Sequence, residues 1–279
     1  MSPSDARDEK SAGAPNWFRA RSGSAIRATV GMLPFFEYKL EVSRWLQTRS
    51  MRNREDHLVT VLARSTPALP YADVATVIAT YRRPDLLGAA VESALSQTVR
   101  DQVVVVVDDG GGELGALPED PRLHVLELPE NTGCAGVVRN VGIRLSQSRL
   151  LAFLDDDNTW EAHHLERALC AHRRGAEMTY SSLTRVDANG DLVDVFGEPF
   201  DRATMRDRSL VDTNALVIRR SPEVLFSRTP RHRDDFPGED WELVWRLSRD
   251  TEPEHLPEAT VRYVLHAGSN YSSWGDPPS

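Results

Sequence analysis

Patterns of apolar positions that are typical of strands and of helices alternate between residues 74 and 154. The apolar, β-branched run from Gln102 to Val107 is typical of a strand buried on both faces of a parallel sheet. Between such runs, apolar residues recur at helical spacing, as in Leu87, Ala90, Val91 and Leu95. The pattern predicts strand 74–80, helix 84–97, strand 102–107, strand 123–128, helix 134–146 and strand 150–154.

This order of elements, β-α-β-β-α-β, favours an α/β fold. We expect a Rossmann-like, mainly parallel sheet flanked by helices on both faces. Patterning is weaker after residue 171. There it predicts strands near 177–186 and 211–218, loops over 187–210 and 227–239, and a helix over 241–247.

The first 70 residues differ from the rest of the chain. Residues 1–23 are polar and rich in Ser, Ala and Gly, and we predict a disordered tail there. Residues 24–70 have helical character, with aromatic residues surrounded by basic ones, and we predict a helical N-terminal extension. Such a segment can lie on a membrane surface, but more often it packs on its own domain or on a second subunit. We therefore predict packing, with a homodimer left open and peripheral membrane contact less favoured.

Composition and charge exclude several classes of protein. The 279-residue chain is 40% hydrophobic and has no charge-free apolar run of membrane-spanning length, so we expect a soluble, globular protein. Its first residues do not resemble a secretory signal, and Cys134 and Cys170 stand in no metal or redox spacing, which favours the cytoplasm. Residues 1–70 hold 11 Lys and Arg against 7 Asp and Glu, whereas the remainder holds 22 against 35. An acidic body argues against nucleic acid as the main partner.

Two clusters of carboxylates stand where predicted strands end. Asp108 and Asp109 follow strand 102–107, and Asp155, Asp156 and Asp157 follow strand 150–154. Taken alone, three consecutive acids also fit an acidic surface turn. Parallel strands, however, end at the same edge of a sheet, where open α/β sheets bind ligands. One cluster can accept hydrogen bonds from a base or ribose while the other holds Mg2+ or Mn2+, which favours a nucleoside-diphosphate substrate.

Several short stretches of the chain carry a resemblance. They include Val107-Asp108-Asp109-Gly110, Phe153-Leu154-Asp155-Asp156-Asp157 and Gly238-Glu239-Asp240-Trp241, with further matches at 77–83, 96–98, 131–133, 138–142 and 265–269. In order and spacing, over about residues 72–270, they resemble the family 2 glycosyltransferases of the GT-A fold. The resemblance implies a nucleotide-sugar-binding half at 71–170 and an acceptor-binding half at 171–279. The N-terminal 70 residues lie outside it.

The resemblance also implies roles for individual residues. The expected donor-binding residues are Ala79, Thr80, Tyr81, Asp108, Asp109, Arg139, Asp155 and Asp156. Asp157 and His266 would bind Mn2+ or Mg2+, and the acceptor side would include Trp160, Glu239 and Trp241. Two alternatives stay open: Arg139 can form a structural ion pair, and His266 can be a surface histidine.

Asp240 matches the position of the family's general base. It lies in a Glu-Asp pair that opens the helix predicted at 241–247, where the helix dipole favours an ionised carboxylate. Charge decoration of a helix N-terminus is the alternative. The resemblance implies transfer of a sugar from a nucleoside-diphosphate sugar, a UDP-sugar first of all, to an unknown acceptor with inversion. A nucleotidyltransferase and a non-catalytic nucleotide-sugar-binding protein are the rival hypotheses.

Overall fold

The computed structural model describes residues 29–231 and 237–265. The predicted disordered tail, residues 1–23, lies outside the described residues. The helices are α1 (Met32–Ser43), α2 (Trp45–Ser65), α3 (Pro84–Leu95), α4 (Ala135–Leu145), α5 (His164–Arg173), α6 (Arg202–Met205) and α7 (Glu239–Leu247). The strands are β1 (Tyr71–Thr80), β2 (Gln102–Asp108), β3 (Leu123–Glu127), β4 (Gln147–Asp155), β5 (Thr159–Trp160), β6 (Met178–Val186), β7 (Leu192–Phe196), β8 (Leu216–Arg219) and β9 (Glu254–Val264).

A single mixed sheet joins both halves of the chain. Its strand order is β3-β2-β1-β4-β8-β6-β9-β5, and β7 pairs with β6. The first four strands are mutually parallel, as predicted, whereas β8 runs antiparallel to both β4 and β6. The connections β1-α3-β2 and β3-α4-β4 step across the sheet in opposite directions, so right-handed crossovers place α3 and α4 on opposite faces.

The register of the central strands brings the two carboxylate clusters to one edge. Thr80 at the end of β1 pairs with Asp108, and Ala79 pairs with Asp155. Helix α4 packs closely on β1: a Cβ on Gly142 would stand only 2.7 Å from a methyl carbon of Val77. The expectation that both clusters share one edge is therefore confirmed.

The second half departs from the sequence-based prediction in several places. The stretch 187–210, predicted as a loop, contains β7 and α6. Strand β9 was not predicted, because Pro257 and several charged residues interrupt its apolar pattern. It forms because β6 offers a parallel neighbour with irregular register, which tolerates those residues.

The N-terminal extension is helical and packs on the domain. Helix α2 lies against α4, and its Glu55 is fully buried. The Glu55 carboxylate accepts hydrogen bonds from Asn140 at 2.9 Å and from the guanidinium groups of Arg144 and Arg228 at 2.7–2.8 Å. A buried carboxylate with such partners is satisfied, whereas removal of the partners would leave it strongly destabilising. Among the described residues, no helix combines the length and the apolar character that crossing a membrane requires.

Candidate functional site

An open cavity of about 440 Å³ lies at the carboxyl edge of β1, β2 and β4. Nine of the residues that the sequence singled out line it: Ala79, Thr80, Tyr81, Asp109, Arg139, Asp155, Asp156, Asp157 and Glu239. The remaining lining residues are Arg83, Asn131, Gly133, Cys134, Ala135, Val138 and Tyr263. The fold thus gathers residues from strand ends, from the start of α4 and from the start of α7 around one space.

Asp156 and Asp157 converge on one guanidinium group. Arg83 Nη1 lies 2.9 Å from Asp156 Oδ1 and 2.9 Å from Asp157 Oδ2. The other Asp156 oxygen accepts a hydrogen bond of 2.7 Å from the Thr80 hydroxyl. Burial raises the pKa of Asp156, although Thr80 and Arg83 oppose the rise by stabilising the charged form.

Sequence reasoning gave Arg83 no role. Its position could have been noticed, since it follows the end of β1 within a stretch that carries the family resemblance. The preceding Arg82 has φ of 53°, a left-handed conformation that non-glycine residues rarely adopt. Such strain often marks a functional loop. The turn brings Arg83 over the acids, yet 44% of its side chain stays exposed, so it retains room to move.

Arg139 bridges the carboxylates of Asp155 and Glu239. Its Nη2 lies 2.6 Å from Asp155 Oδ1, and its Nη1 lies 2.7 Å from Glu239 Oε1. Burial alone would lower the pKa of Arg139, but these two acids raise it above its usual range. Buried Asn214, which the sequence did not single out, fixes the other Asp155 oxygen through an Nδ2 hydrogen bond of 3.0 Å. The two ion pairs of Arg139 thus link Asp155 at the end of β4 to Glu239 at the start of α7.

The two acids after β2 have different surroundings. Asp109 lines the cavity, and its Oδ1 accepts a hydrogen bond of 2.7 Å from the Thr132 backbone N–H. Burial raises the pKa of Asp109, and the hydrogen bonds from this turn oppose the rise. The Asp108 carboxylate instead accepts the backbone N–H groups of Gly111 and Gly112 at 2.9–3.0 Å. The expectation of a donor contact for Asp108 does not fit this position, because both oxygens close its own turn.

Asp240 stands at the start of α7, next to Glu239. It is half-buried, and its Oδ1 accepts a hydrogen bond of 2.7 Å from the Trp241 backbone N–H. Burial raises the pKa of Asp240 to about 6, and repulsion from Glu239 adds to the rise. A carboxylate with this pKa is largely ionised near neutral pH and still binds a proton more readily than an ordinary aspartate, which suits a general base. Asp240 is not among the described residues that line the cavity.

The expected acceptor-side role does not fit Trp160 or Trp241. Both side chains are buried, and neither lines the cavity. Each indole N–H donates to a backbone carbonyl at 2.7 Å, Trp160 to Asn214 and Trp241 to Met205. A buried indole satisfied in this way supports the fold. His266, the expected second metal ligand, lies outside the described residues.

The donor set fits a divalent cation in part. Within residues 29–231 and 237–265, no group of three or more His, Cys, Asp or Glu side chains is arranged to hold a metal. However, oxygens of Asp156 and Asp157 already surround one cationic nitrogen. Mg2+ commonly binds proteins through one or two carboxylates and takes its other ligands from substrate phosphates and water. The two carboxylates fit such a site.

Comparison with known proteins adds a match to a family profile and a shared fold. Residues 76–211 match the sequence profile of the family described as Glycosyl transferase family 2. The succinoglycan biosynthesis protein ExoO of Rhizobium meliloti is 36% identical over 132 residues, which cover 45% of this chain and 37% of that protein. The chain therefore spans less than half the length of that relative. The UDP-Glc:alpha-D-GlcNAc-diphosphoundecaprenol beta-1,3-glucosyltransferase WfaP of Escherichia coli is 29% identical over 206 residues, 70% of this chain and 78% of WfaP.

A solved structure shares the fold. The crystal structure of S. aureus TarS 1-349 in complex with UDP-GlcNAc superposes with a TM-score of 0.57 at 17% sequence identity. The alignment covers 72% of this chain and 61% of the TarS chain. The mixed sheet flanked by helices is thus of the GT-A type.

The raised pKa of Asp240 makes a prediction about stability. Because the folded state binds this proton more tightly than the unfolded state, ionised Asp240 costs stability as the pH rises from about 4 to about 6. Asp240→Asn should therefore raise the free energy of unfolding near pH 7 by on the order of 1–3 kcal/mol, and the gain should vanish below about pH 4. Urea unfolding at both pH values measures it, with the exposed Asp250→Asn as control. If Asp240→Asn and the wild type are equally stable at both pH values, the proton-binding environment of Asp240 is contradicted.

Proposed function

Since residues 76–211 match the profile of glycosyl transferase family 2, we propose that the protein transfers a sugar from a nucleoside-diphosphate sugar to an acceptor hydroxyl or amine. The observation that carries the proposal is the convergence of Asp109, Asp155, Asp156, Asp157 and Glu239 with two arginines around one cavity. The superposable TarS structure contains UDP-GlcNAc, which supports a UDP-sugar as the donor.

Three features of the cavity suit the donor. Asp109 offers a buried carboxylate that can accept a hydrogen bond from a base N–H or a ribose hydroxyl. The amino end of α4, at Cys134 and Ala135, opens into the same cavity and favours anionic groups there. Arg83, whose side chain is partly exposed, can turn from the acids toward a diphosphate.

Asp156 and Asp157 would hold Mg2+ or Mn2+ in the loaded enzyme. Their oxygens now share the Arg83 guanidinium, so a cation with a diphosphate would exchange with Arg83 without leaving unpaired carboxylates. The bound ion supplies a Lewis acid that neutralises the growing charge of the leaving diphosphate. Thr80 keeps Asp156 oriented through its hydroxyl throughout.

Asp240 acts as the base in this proposal. Its carboxylate takes the proton from the acceptor group, whose lone pair then forms a bond to the anomeric carbon. The bond from that carbon to the diphosphate oxygen breaks, and the nucleoside diphosphate leaves with the electron pair. Attack opposite to the leaving group inverts the anomeric configuration. The Arg139 bridge holds Glu239, and with it the start of α7, against the donor cavity.

The rival hypotheses are less well supported. A nucleotidyltransferase normally needs a basic, glycine-rich loop for a triphosphate, and Gly110-Gly111-Gly112 carries no Lys or Arg. A non-catalytic sugar-nucleotide binder would need no general base, whereas Asp240 stands at the start of α7 next to Glu239, which lines the cavity. Slow hydrolysis of a UDP-sugar in the presence of Mn2+ would separate the transferase from the binder.

The name of one relative suggests an acceptor. WfaP is named for a GlcNAc-diphosphoundecaprenol acceptor, and the alignment spans 78% of its length. We therefore put forward a sugar on a polyprenyl diphosphate as the first acceptor to assay. Free sugars and simple glycosides are the comparison.

The role of Asp240 can be measured directly. Asp240→Asn keeps the size of the side chain but removes its basicity, so kcat should fall by a factor on the order of 100–10,000. The KM for the donor should change little, because the base faces the acceptor. Steady-state kinetics with a UDP-sugar and NMR of the product's anomeric proton check both claims, and Asp250→Asn is the control. Near-native kcat would remove Asp240 from the mechanism, and retention at the anomeric carbon would remove the inverting mechanism itself.

The cation site makes a separate prediction. Asp157→Ala removes one of the two carboxylates that pair with Arg83 and are proposed to bind the metal ion. The Mn2+-dependent part of UDP binding should therefore disappear while the fold stays intact. Calorimetry of UDP binding with Mn2+ and with EDTA measures this part. Glu119→Ala, an exposed acid outside the cavity, is the control. If the wild-type protein binds UDP equally well in both buffers, the cation site is wrong.

A further inference from the structure

The helix pair α1 and α2 presents an apolar stripe on its outer face. The stripe consists of Tyr38, Val42, Trp45 and Leu46, whose side chains are between 60% and 72% exposed. Their spacing places them on one side of the helix path, opposite to buried Leu33, Leu40 and Leu58. The inner face therefore meets the domain, while the outer face keeps an aromatic and aliphatic surface in contact with solvent.

Positive charge flanks the same stripe. Lys39, Arg49 and Arg52 are exposed along this side of the helix pair, with Glu41 as the one acid among them. Within the described part of the chain, none of these three cations takes part in a salt bridge. The remainder of the protein, after residue 70, is strongly acidic. The basic character is thus concentrated beside the exposed apolar stripe.

We propose that this stripe docks the protein on an anionic lipid bilayer. Trp and Tyr are suited to the boundary between headgroups and acyl chains, and Val42 and Leu46 would enter the acyl region. The three cations would meet the negative surface potential of the lipids. A symmetric contact between two copies would instead bring like charges of the two stripes together, which disfavours a second copy as the occupant. Docking is independent of which sugar the enzyme transfers.

Vesicle sedimentation of the full chain tests the proposal. The protein should bind phosphatidylcholine vesicles that contain phosphatidylglycerol and bind pure phosphatidylcholine much more weakly. Replacing Lys39, Arg49 and Arg52 together by Gln should weaken binding to the anionic vesicles on the order of 100-fold. Trp45→Ser combined with Leu46→Ser should weaken binding at least about tenfold, because apolar burial is lost.

A matched control comes from the edge strand β7. Leu192 and Val195 are also large, exposed apolar residues, so Leu192→Ser combined with Val195→Ser removes similar surface elsewhere. This control should bind vesicles like the wild type. If vesicle binding is unchanged in the variant with Trp45→Ser and Leu46→Ser, or is lowered equally in the β7 control, the proposal is overturned. The proposal is also overturned if the wild type does not bind vesicles but is a dimer in light scattering, and if the Trp45→Ser, Leu46→Ser variant is a monomer. That result would assign the surface to a second copy of the chain.

The inner face of the same helix pair carries a second, independent observation. Four consecutive residues before α7, at positions 228–231, each contact the helix pair α1 and α2. As the residue number rises from 228 to 231, the contacted position in the helix pair falls from 55 to 37. Arg228 pairs with Glu55 at 2.7 Å, Thr229 accepts a hydrogen bond from Thr48 at 3.1 Å, the Pro230 carbonyl accepts one from Arg44, and Arg231 pairs with Glu37 at 2.8 Å. Glu37 and Glu55 are both buried, so the contacts are shielded from water.

The last of these contacts reaches toward the proposed base. Arg231 Nη2 binds Glu37, and its Nη1 donates to the Pro237 carbonyl at 2.5 Å. Pro237 lies three residues before Asp240. We infer that Glu37 and Arg231 are positioning residues, which hold the start of α7 so that Asp240 meets the acceptor. The inference rests on the proposed role of Asp240.

Kinetics can separate positioning from a merely structural role. Glu37→Gln should lower kcat about tenfold or more and change the KM for the donor little, because the strand-end acids and Arg83 that are proposed to contact the donor lie on other elements and Glu239 stays paired with Arg139. Glu41→Gln, the exposed acid on the same helix, should behave like the wild type. Replacing Glu37 and Arg231 together by Met should keep both positions filled by buried side chains, but it removes the hydrogen bond to the Pro237 carbonyl. The kcat of this variant should therefore stay low even if thermal unfolding shows that its fold is stable.

Two results would overturn the inference. Wild-type kcat in a folded Glu37→Gln variant, or recovery of kcat in the double Met variant, would show that the pair serves stability alone. Asp240→Asn, assayed in parallel, separates this outcome from failure of the proposed function. If Asp240→Asn is inactive while the Glu37 variants are fully active, only the positioning role fails. An active Asp240→Asn overturns the base and the positioning role together.

Discussion

The site depends on how repulsion among clustered carboxylates is compensated. Asp155, Asp156 and Asp157 end one buried strand, and Glu239 approaches them from another part of the chain. Like charges at such distances disfavour their ionised forms, and burial adds to the cost. Arg83 and Arg139 compensate by sharing one guanidinium between two carboxylates each. Each of these four carboxylates therefore lies in an ion pair with one of the two arginines.

The two arginines are not equivalent, and the difference is consistent with the proposed chemistry. Only 9% of the Arg139 side chain is exposed, and its guanidinium also lies over the Phe226 ring, 5.1 Å from the ring centre. Arg83 has 44% of its side chain exposed and follows a strained residue. A fixed arginine suits a structural bridge, whereas an exposed one can exchange its partners. Exchange of Arg83 for a divalent cation would keep the charge of the acids balanced throughout donor binding.

Buried charged residues attach the N-terminal helix pair, α1 and α2, to the domain. The helix pair lies outside the stretch that matches the family profile, residues 76–211, yet it is tied to the domain by buried charges. Buried ion pairs contribute little net stability but specify geometry, because a misplaced partner leaves an unpaired charge. Glu37 and Glu55 thus fix where residues 228–231 run. The resemblance could not indicate this, since none of these contacts lies between motifs of the family.

The sequence by itself determined the central α/β unit and the acidic edge. Continuous β-branched runs are typical of strands in a sheet covered on both faces, and parallel strands of one sheet end on the same side. β1, β2 and β4, with the acids that follow β2 and β4, could therefore be predicted from the sequence pattern. Weak or interrupted patterns hid β9 and β7, which form because β6 offers hydrogen bonds to otherwise unpaired strands. Only the tertiary structure separated Asp109, which opens to the cavity, from Asp108, which closes its own turn. It also turned Trp160 and Trp241 into the core and brought Arg83 over the acids, because side-chain direction depends on neighbours that lie far away in sequence.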